Sequence, residues 1–203
     1  MNKDMNKDMN KELLVKVCLR VNNFLKNNTD GHDVAHIYRV YQNAVYIADN
    51  IENCDKDVII LSALLHDVDD YKLFHTKNNE NARSILISCE VEKDKIEEIC
   101  NIINSVSFSK NKKPATIEGQ IVQDADRLDA IGAIGIGRTF AYGGCHKRTL
   151  QDSIEHFFKK LLRLKSLMNT DVAKDLAEER HLFLLKFLEE WNLENNSLFN
   201  QEI

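Results

Sequence analysis

Apolar residues recur along this chain at helical rather than strand spacing. Leu13, Leu14, Val17, Val21, Phe24 and Leu25 form one stripe and predict a first helix. The cluster Asn27, Asn28, Thr29, Asp30 and Gly31 ends it with turn-forming residues. A second helix is predicted from His32 or Asp33 to about Asn50, with Ile37, Val40, Tyr41, Ala44, Ile47 and Ala48 on its apolar face. The third begins behind Asp55 and Asp57, acids that suit the positive end of a helix dipole. Its body, Val58 to Leu65, has Ser62 as its single polar member and is apolar on every side, as expected of a helix central to a core. A buried parallel strand tolerates the same run, but Ala63, Leu64, Leu65 and the length favour helix.

Two shorter helices are predicted over about 77–89 and 93–106, followed by a basic loop over 107–114 and a helix over 116–130. The last runs into Gly132, Gly135 and Gly137, which allow close backbone packing at a cost in helix stability. From about Asp152 to Leu193 the pattern reads as two amphipathic helices meeting near Asn169 and Thr170, with Phe157, Leu161, Leu164 and Met168 in the core. The first twelve residues repeat a Met-Asn-Lys-acid tetrad without an apolar stripe. The expected organisation is therefore a low-complexity extension (1–12), a single helical domain (13–195) and a short tail (196–203).

Composition narrows the class. Of 203 residues, 43% are hydrophobic and 29% charged, which suits a soluble globular chain and not a disordered one. One proline and seven glycines argue against a sandwich or barrel with many tight turns, so the expectation is all-α. A net charge of −5 gives no general attraction to nucleic acid or an anionic membrane, and neither is expected as a partner. Any phosphate binding must come from a few placed groups. Cysteines at 18, 54, 89, 100 and 145 form no C-x-x-C pair and suit thiols in a reducing cytosol. No apolar stretch approaches the ~18 residues of a membrane span, so a cytoplasmic protein is expected.

The chemistry concentrates at His66 and Asp67, directly after the apolar third helix. Burying an imidazole and a carboxylate there is costly unless they pair or bind a metal; the alternative is a helix that surfaces at residue 66 into a solvated acidic end. His36, one step from the apolar stripe of the second helix, and Asp126, an acid between apolar positions on a later helix, extend the set. Two imidazoles and two carboxylates suit a divalent transition metal or Mn²⁺ better than Ca²⁺, which prefers oxygen cages. Arg39 shares a helix face with His36, and Lys72 follows the acidic run Asp67, Asp69 and Asp70; both are candidate phosphate-binding cations. Lys110, Lys112, Lys113, Arg127 and Arg138 are further cations whose ordinary role is a surface charge or an ion pair.

His36, then His66-Asp67, then Asp126 in Ala125-Asp126-Arg127-Leu128 resembles the ordered H…HD…D signature of the HD-domain phosphohydrolases. The intervals are 30 residues from His36 to His66 and 59 from Asp67 to Asp126. The surrounding text is similar to the small bacterial single-domain branch: Gly31-His32-Asp33, Ile37-Tyr38-Arg39-Val40, Val68-Asp69-Asp70-Tyr71-Lys72, Ser107-Phe108-Ser109, and the stretch from Val122 through Gly144. The resemblance implies an HD-domain helical bundle with a metal site between central helices. His36, His66, Asp67 and Asp126 would be the metal ligands and Asp70 the general base or water-positioning acid. Two-metal relatives carry extra histidines between the HD pair and the last Asp; here only His75 lies in that interval, which favours one ion (Mn, Fe, Co, Ni, Mg or Zn). His32, four residues before His36, fits a structural role at the helix start.

The implied substrate is a small phosphorylated molecule, most simply a nucleotide, with nucleoside triphosphate cleaved to monophosphate and pyrophosphate. A 5′-nucleotidase and a guanosine tetraphosphate hydrolase are the alternative enzymes. A ligand-sensing module without catalysis would have lost a ligand or Asp70, and all five acids and imidazoles are present. Assembly into a homo-oligomer is compatible with the sequence.

Overall fold

The computed structural model describes residues 11–26, 33–70, 74–106 and 113–197, with side chains through 195. Among them the regular elements are all helical, and no helix is long and apolar enough to cross a membrane. His32, Lys72, Lys110, Lys112 and most of the basic loop lie outside the described residues. The chain divides into two compact units, 1–126 and 127–203.

The first unit holds α1 (Lys11–Leu25), α2 (Val34–Asp49), α3 (Lys56–Leu65), α4 (Glu80–Ser88), α5 (Lys93–Val106) and α6 (Ile117–Asp129) as far as Asp126. The run that was apolar on every side became the centre: α3 packs against α1, α2 and α5. Val58, Ile59, Leu61, Leu64 and Leu65 are fully buried, each worth roughly 1.5–3 kcal/mol relative to exposure. Asp55 caps α3 by accepting the Val58 N–H at 3.1 Å. The stripe of α2 is buried as the pattern required at Ile37, Val40, Ala44, Ile47 and Ala48. α4 starts later than the pattern suggested because Asn78 and Asn79 hold φ of 52° and 56°, left-handed values that no α-helix continues through.

The second unit contains α7 (Gly132–Cys145), α8 (Leu150–His156), a π-helical turn (Phe157–Leu161), α9 (Leu162–Leu164), a 3₁₀ turn (Lys165–Leu167) and α10 (Asp171–Ser197). α10 packs on α7, and Phe140, Phe157, Phe187 and Trp191 from these helices and the π turn form an aromatic cluster with ring centroids 5.6–6.1 Å apart. Phe157, Leu161, Leu164 and Met168 are buried, as expected. Gly132 has φ +75°, and a Cβ there would lie 3.1 Å from Cγ of Arg180. At Gly135 a Cβ would meet the Ala130 carbonyl, whereas Gly137 faces open space. Close packing thus requires glycine at two of these three positions.

Candidate metal centre

His36 sits in the first turn of α2. The cap residue Asp33 accepts the His36 backbone N–H through Oδ1 at 2.8 Å, which fixes where the helix begins and so where the imidazole points. His66 is the capping residue at the far end of α3, with φ −62° and ψ −25°. The chain then turns: the Val68 N–H donates to the Leu65 carbonyl at 3.3 Å and the Asp70 N–H to the Asp67 carbonyl at 3.1 Å. Val68, fully buried, anchors the turn in the core.

The side chains of this turn meet that of His36. The two Nε2 atoms lie 3.2 Å apart. Asp67 approaches both rings, with Oδ2 at 3.3 Å from His36 Nε2 and Oδ1 at 3.5 Å from His66 Nε2. Asp126, on α6, places Oδ1 at 3.6 Å from His36 Nε2 and 3.9 Å from His66 Nε2. Side-chain exposure is 1% for His36, 3% for His66, 10% for Asp67 and 29% for Asp126, so Asp126 is the member most open to solvent. Asn43, two turns beyond His36 on α2, donates to the Ala125 carbonyl at 3.2 Å and ties α2 to α6 beside Asp126.

His66 Nδ1 lies 2.8 Å from the Ala63 carbonyl oxygen. A carbonyl can only accept, so Nδ1 carries the hydrogen and the neutral ring offers its Nε2 lone pair to the cluster. The four side chains set two carboxylates against two imidazoles in a largely buried volume. Such an arrangement is costly on its own, and a divalent cation would offset that cost. His36, His66 and Asp67 form a buried group able to hold a metal, with candidate donor atoms within 4.8 Å of one another. Nitrogen and carboxylate oxygen together suit the borderline divalent metals. The residues fit the ion.

Asp70 ends the same turn, half-buried, and its carbonyl accepts the Phe74 N–H at 2.8 Å. Arg39 is half-buried one turn beyond His36. Two other cations are structural: Arg127 is buried and donates to the Leu167 carbonyl, and Arg138 pairs with Asp129 at 2.6 Å. The carboxylate of Asp69 does not remain a solvated helix end. Its two oxygens accept the backbone N–H groups of Asn81 and Ala82. The sequence pattern did not single out Asp124, fully buried two residues before Asp126; its place in sequence between Val122 and Ala125 was the available signal.

The HD domain family model matches residues 34–131, which enclose all four converging side chains. An uncharacterized Bacillus subtilis protein, YpgQ, is 42% identical over 178 residues, 83% of this chain and 86% of that protein. The chain belongs to the HD domain family. A crystal structure of YpgQ in complex with ADP superposes with a TM-score of 0.78 at 38% identity, covering 89% of this chain and 97% of that one. An HD-superfamily hydrolase from Bacillus thuringiensis gives a TM-score of 0.75 at 38% identity, covering 92% of this chain and 98% of its own. This HD protein is a metal-dependent phosphohydrolase, all-α as its sequence foretold.

Proposed function

We propose that this HD hydrolase cleaves a nucleoside triphosphate to the monophosphate and pyrophosphate, using one divalent ion held by His36, His66, Asp67 and Asp126. The convergence of two imidazole Nε2 atoms and two carboxylates within 3.2–3.9 Å carries the reading. The nucleotide is supported by the crystallisation of YpgQ, 42% identical to this chain, with ADP. The five free cysteines favour a cytoplasmic setting.

When bound, the ion supplies Lewis acidity toward a phosphoryl oxygen and acidifies water. The chain's own groups do the rest. The Ala63 carbonyl keeps the His66 proton on Nδ1, so that Nε2 stays a donor of electrons. Asp70 takes the proton of the attacking water as the new O–P bond forms at the α-phosphorus. The bond from that phosphorus to the bridging oxygen breaks, and its electron pair leaves with pyrophosphate. Arg39 and Lys72 hold the charge of that leaving group.

The test is hydrolysis of a nucleotide panel by Mn²⁺-reconstituted protein in ¹⁸O-labelled water. Label in the nucleoside monophosphate, with unlabelled pyrophosphate, is the expected result. Label in pyrophosphate moves the attack to the β-phosphorus. Orthophosphate as the sole phosphate product, from a monophosphate substrate, makes the protein a nucleotidase instead.

A further inference from the structure

α4 starts without a cap of its own. Its capping residue Asn79 has φ 56° and ψ 47° and makes no side-chain bond to the helix; its amide donates instead to the Cys100 carbonyl at 3.2 Å. The first N–H groups of a helix need acceptors from somewhere. Here they come from the turn that follows α3: Asp69 Oδ1 accepts the Asn81 N–H at 3.0 Å and Oδ2 the Ala82 N–H at 2.9 Å. The exchange is reciprocal, because the Asn81 side-chain amide donates to the Val68 carbonyl at 2.7 Å.

Asp69 lies between Asp67 and Asp70, in the turn that begins with His66. Within itself that turn has two backbone bonds, of 3.3 and 3.1 Å. The bonds to α4 are shorter, and two of them place a carboxylate at the positive end of a helix, where charge assists the contact. α4 is in turn fastened to α5 by the two-pronged pair of Arg83 with Glu97, at 2.6 and 2.7 Å.

We propose that Asp69 is a positioning residue: by latching the 66–70 turn onto the start of α4, it holds His66 and Asp67 in the geometry that binds the metal. The proposal rests on the reading of His66 and Asp67 as ligands. A ligand displaced by more than roughly 0.5 Å leaves its productive geometry, and in the absence of Asp69 the turn and the α4 N-terminus keep only the Asn81–Val68 bond as their polar restraint. Asp69 itself is spent on backbone N–H groups and contributes no donor to the ion.

The affinity of the intact protein for Mn²⁺, measured by competition with a fluorescent chelator well below each variant's melting temperature, tests this. Asp69→Ala is expected to raise the Kd roughly tenfold or more, the scale seen when a metal ligand loses its supporting hydrogen bonds. Asp69→Asn keeps one acceptor oxygen and falls between Asp69→Ala and the parent; if the alanine variant does not fold, the asparagine variant carries the test. Arg83→Ala cuts the α4–α5 pair and a bond to the Asn78 carbonyl but removes no Asp69 contact, so it lowers the melting temperature and leaves the Kd unchanged. His66→Ala, run alongside, addresses the ligands themselves. If His66→Ala loses the ion while the Asp69 variants bind like the parent, the latch is wrong and the ligands stand. If His66→Ala binds like the parent, the ligand reading is what fails. A Kd raised equally by Arg83→Ala reduces the role of Asp69 to general stability and overturns the proposal.

Discussion

Both units of this protein bury ionisable groups, and they do so by opposite means. In the second unit Asp129 faces the guanidinium of Arg138 at 2.6 Å, and Arg180 donates to the Leu128 carbonyl at 2.6 Å. In the first, Asp67 and Asp126 face two imidazoles whose Nε2 atoms are 3.2 Å apart. A carboxylate against a guanidinium is complete within the chain. Two carboxylates against two imidazoles would be completed by a cation. Burial of charge is therefore not the mark of a functional site; the sign and donor type of the facing groups are. Burial of Arg180 pushes its guanidinium below the usual range, with the charge of Asp129 opposing that shift, which places this arginine too among the groups the fold has committed to structure.

The contrast breaks most sharply at Asp67. Asp67→Ala removes a proposed ligand, so purified protein should lose its divalent metal and its phosphohydrolase activity together. Elemental analysis of the variant is the check, and full metal occupancy with parental turnover would remove Asp67 from the site. Asp70→Asn should cost less and in a different way. It preserves size but cannot take a proton, so turnover should fall roughly 10²- to 10⁴-fold at unchanged metal content and melting temperature. Normal turnover would make Asp70 a bystander.

Asp129→Ala tests the other half of the comparison. Removing one partner of a buried pair costs roughly 3–5 kcal/mol, and here the low end applies because Arg138 is partly in water. The loss should show in thermal unfolding, with metal content retained. A variant that loses metal rather than stability would erase the distinction between the two kinds of buried charge.

What the sequence determined by itself was local. Apolar spacing is set by the 3.6-residue turn, so the stripe of α2, the all-apolar body of α3 and the core positions Phe157, Leu161, Leu164 and Met168 were legible in it. The order of His36, His66-Asp67 and Asp126 was legible as a resemblance, because a metal site demands particular donors at positions a fold can bring together. Tertiary structure decided the rest. That Asp69, and not its chemically identical neighbour Asp70, caps α4 could not be read from the sequence, since the difference lies in a helix start more than ten positions away. That Arg127 and Arg138 hold a carbonyl and a carboxylate rather than a phosphate depends on which groups fold against them. That Gly132 starts α7 with no room for a side chain depends on Arg180 packing against it, a contact between residues 48 apart. Periodicity acts between neighbours in the chain, whereas the partner that satisfies a buried polar group is chosen by packing, and packing joins residues whose separation in sequence carries no signal.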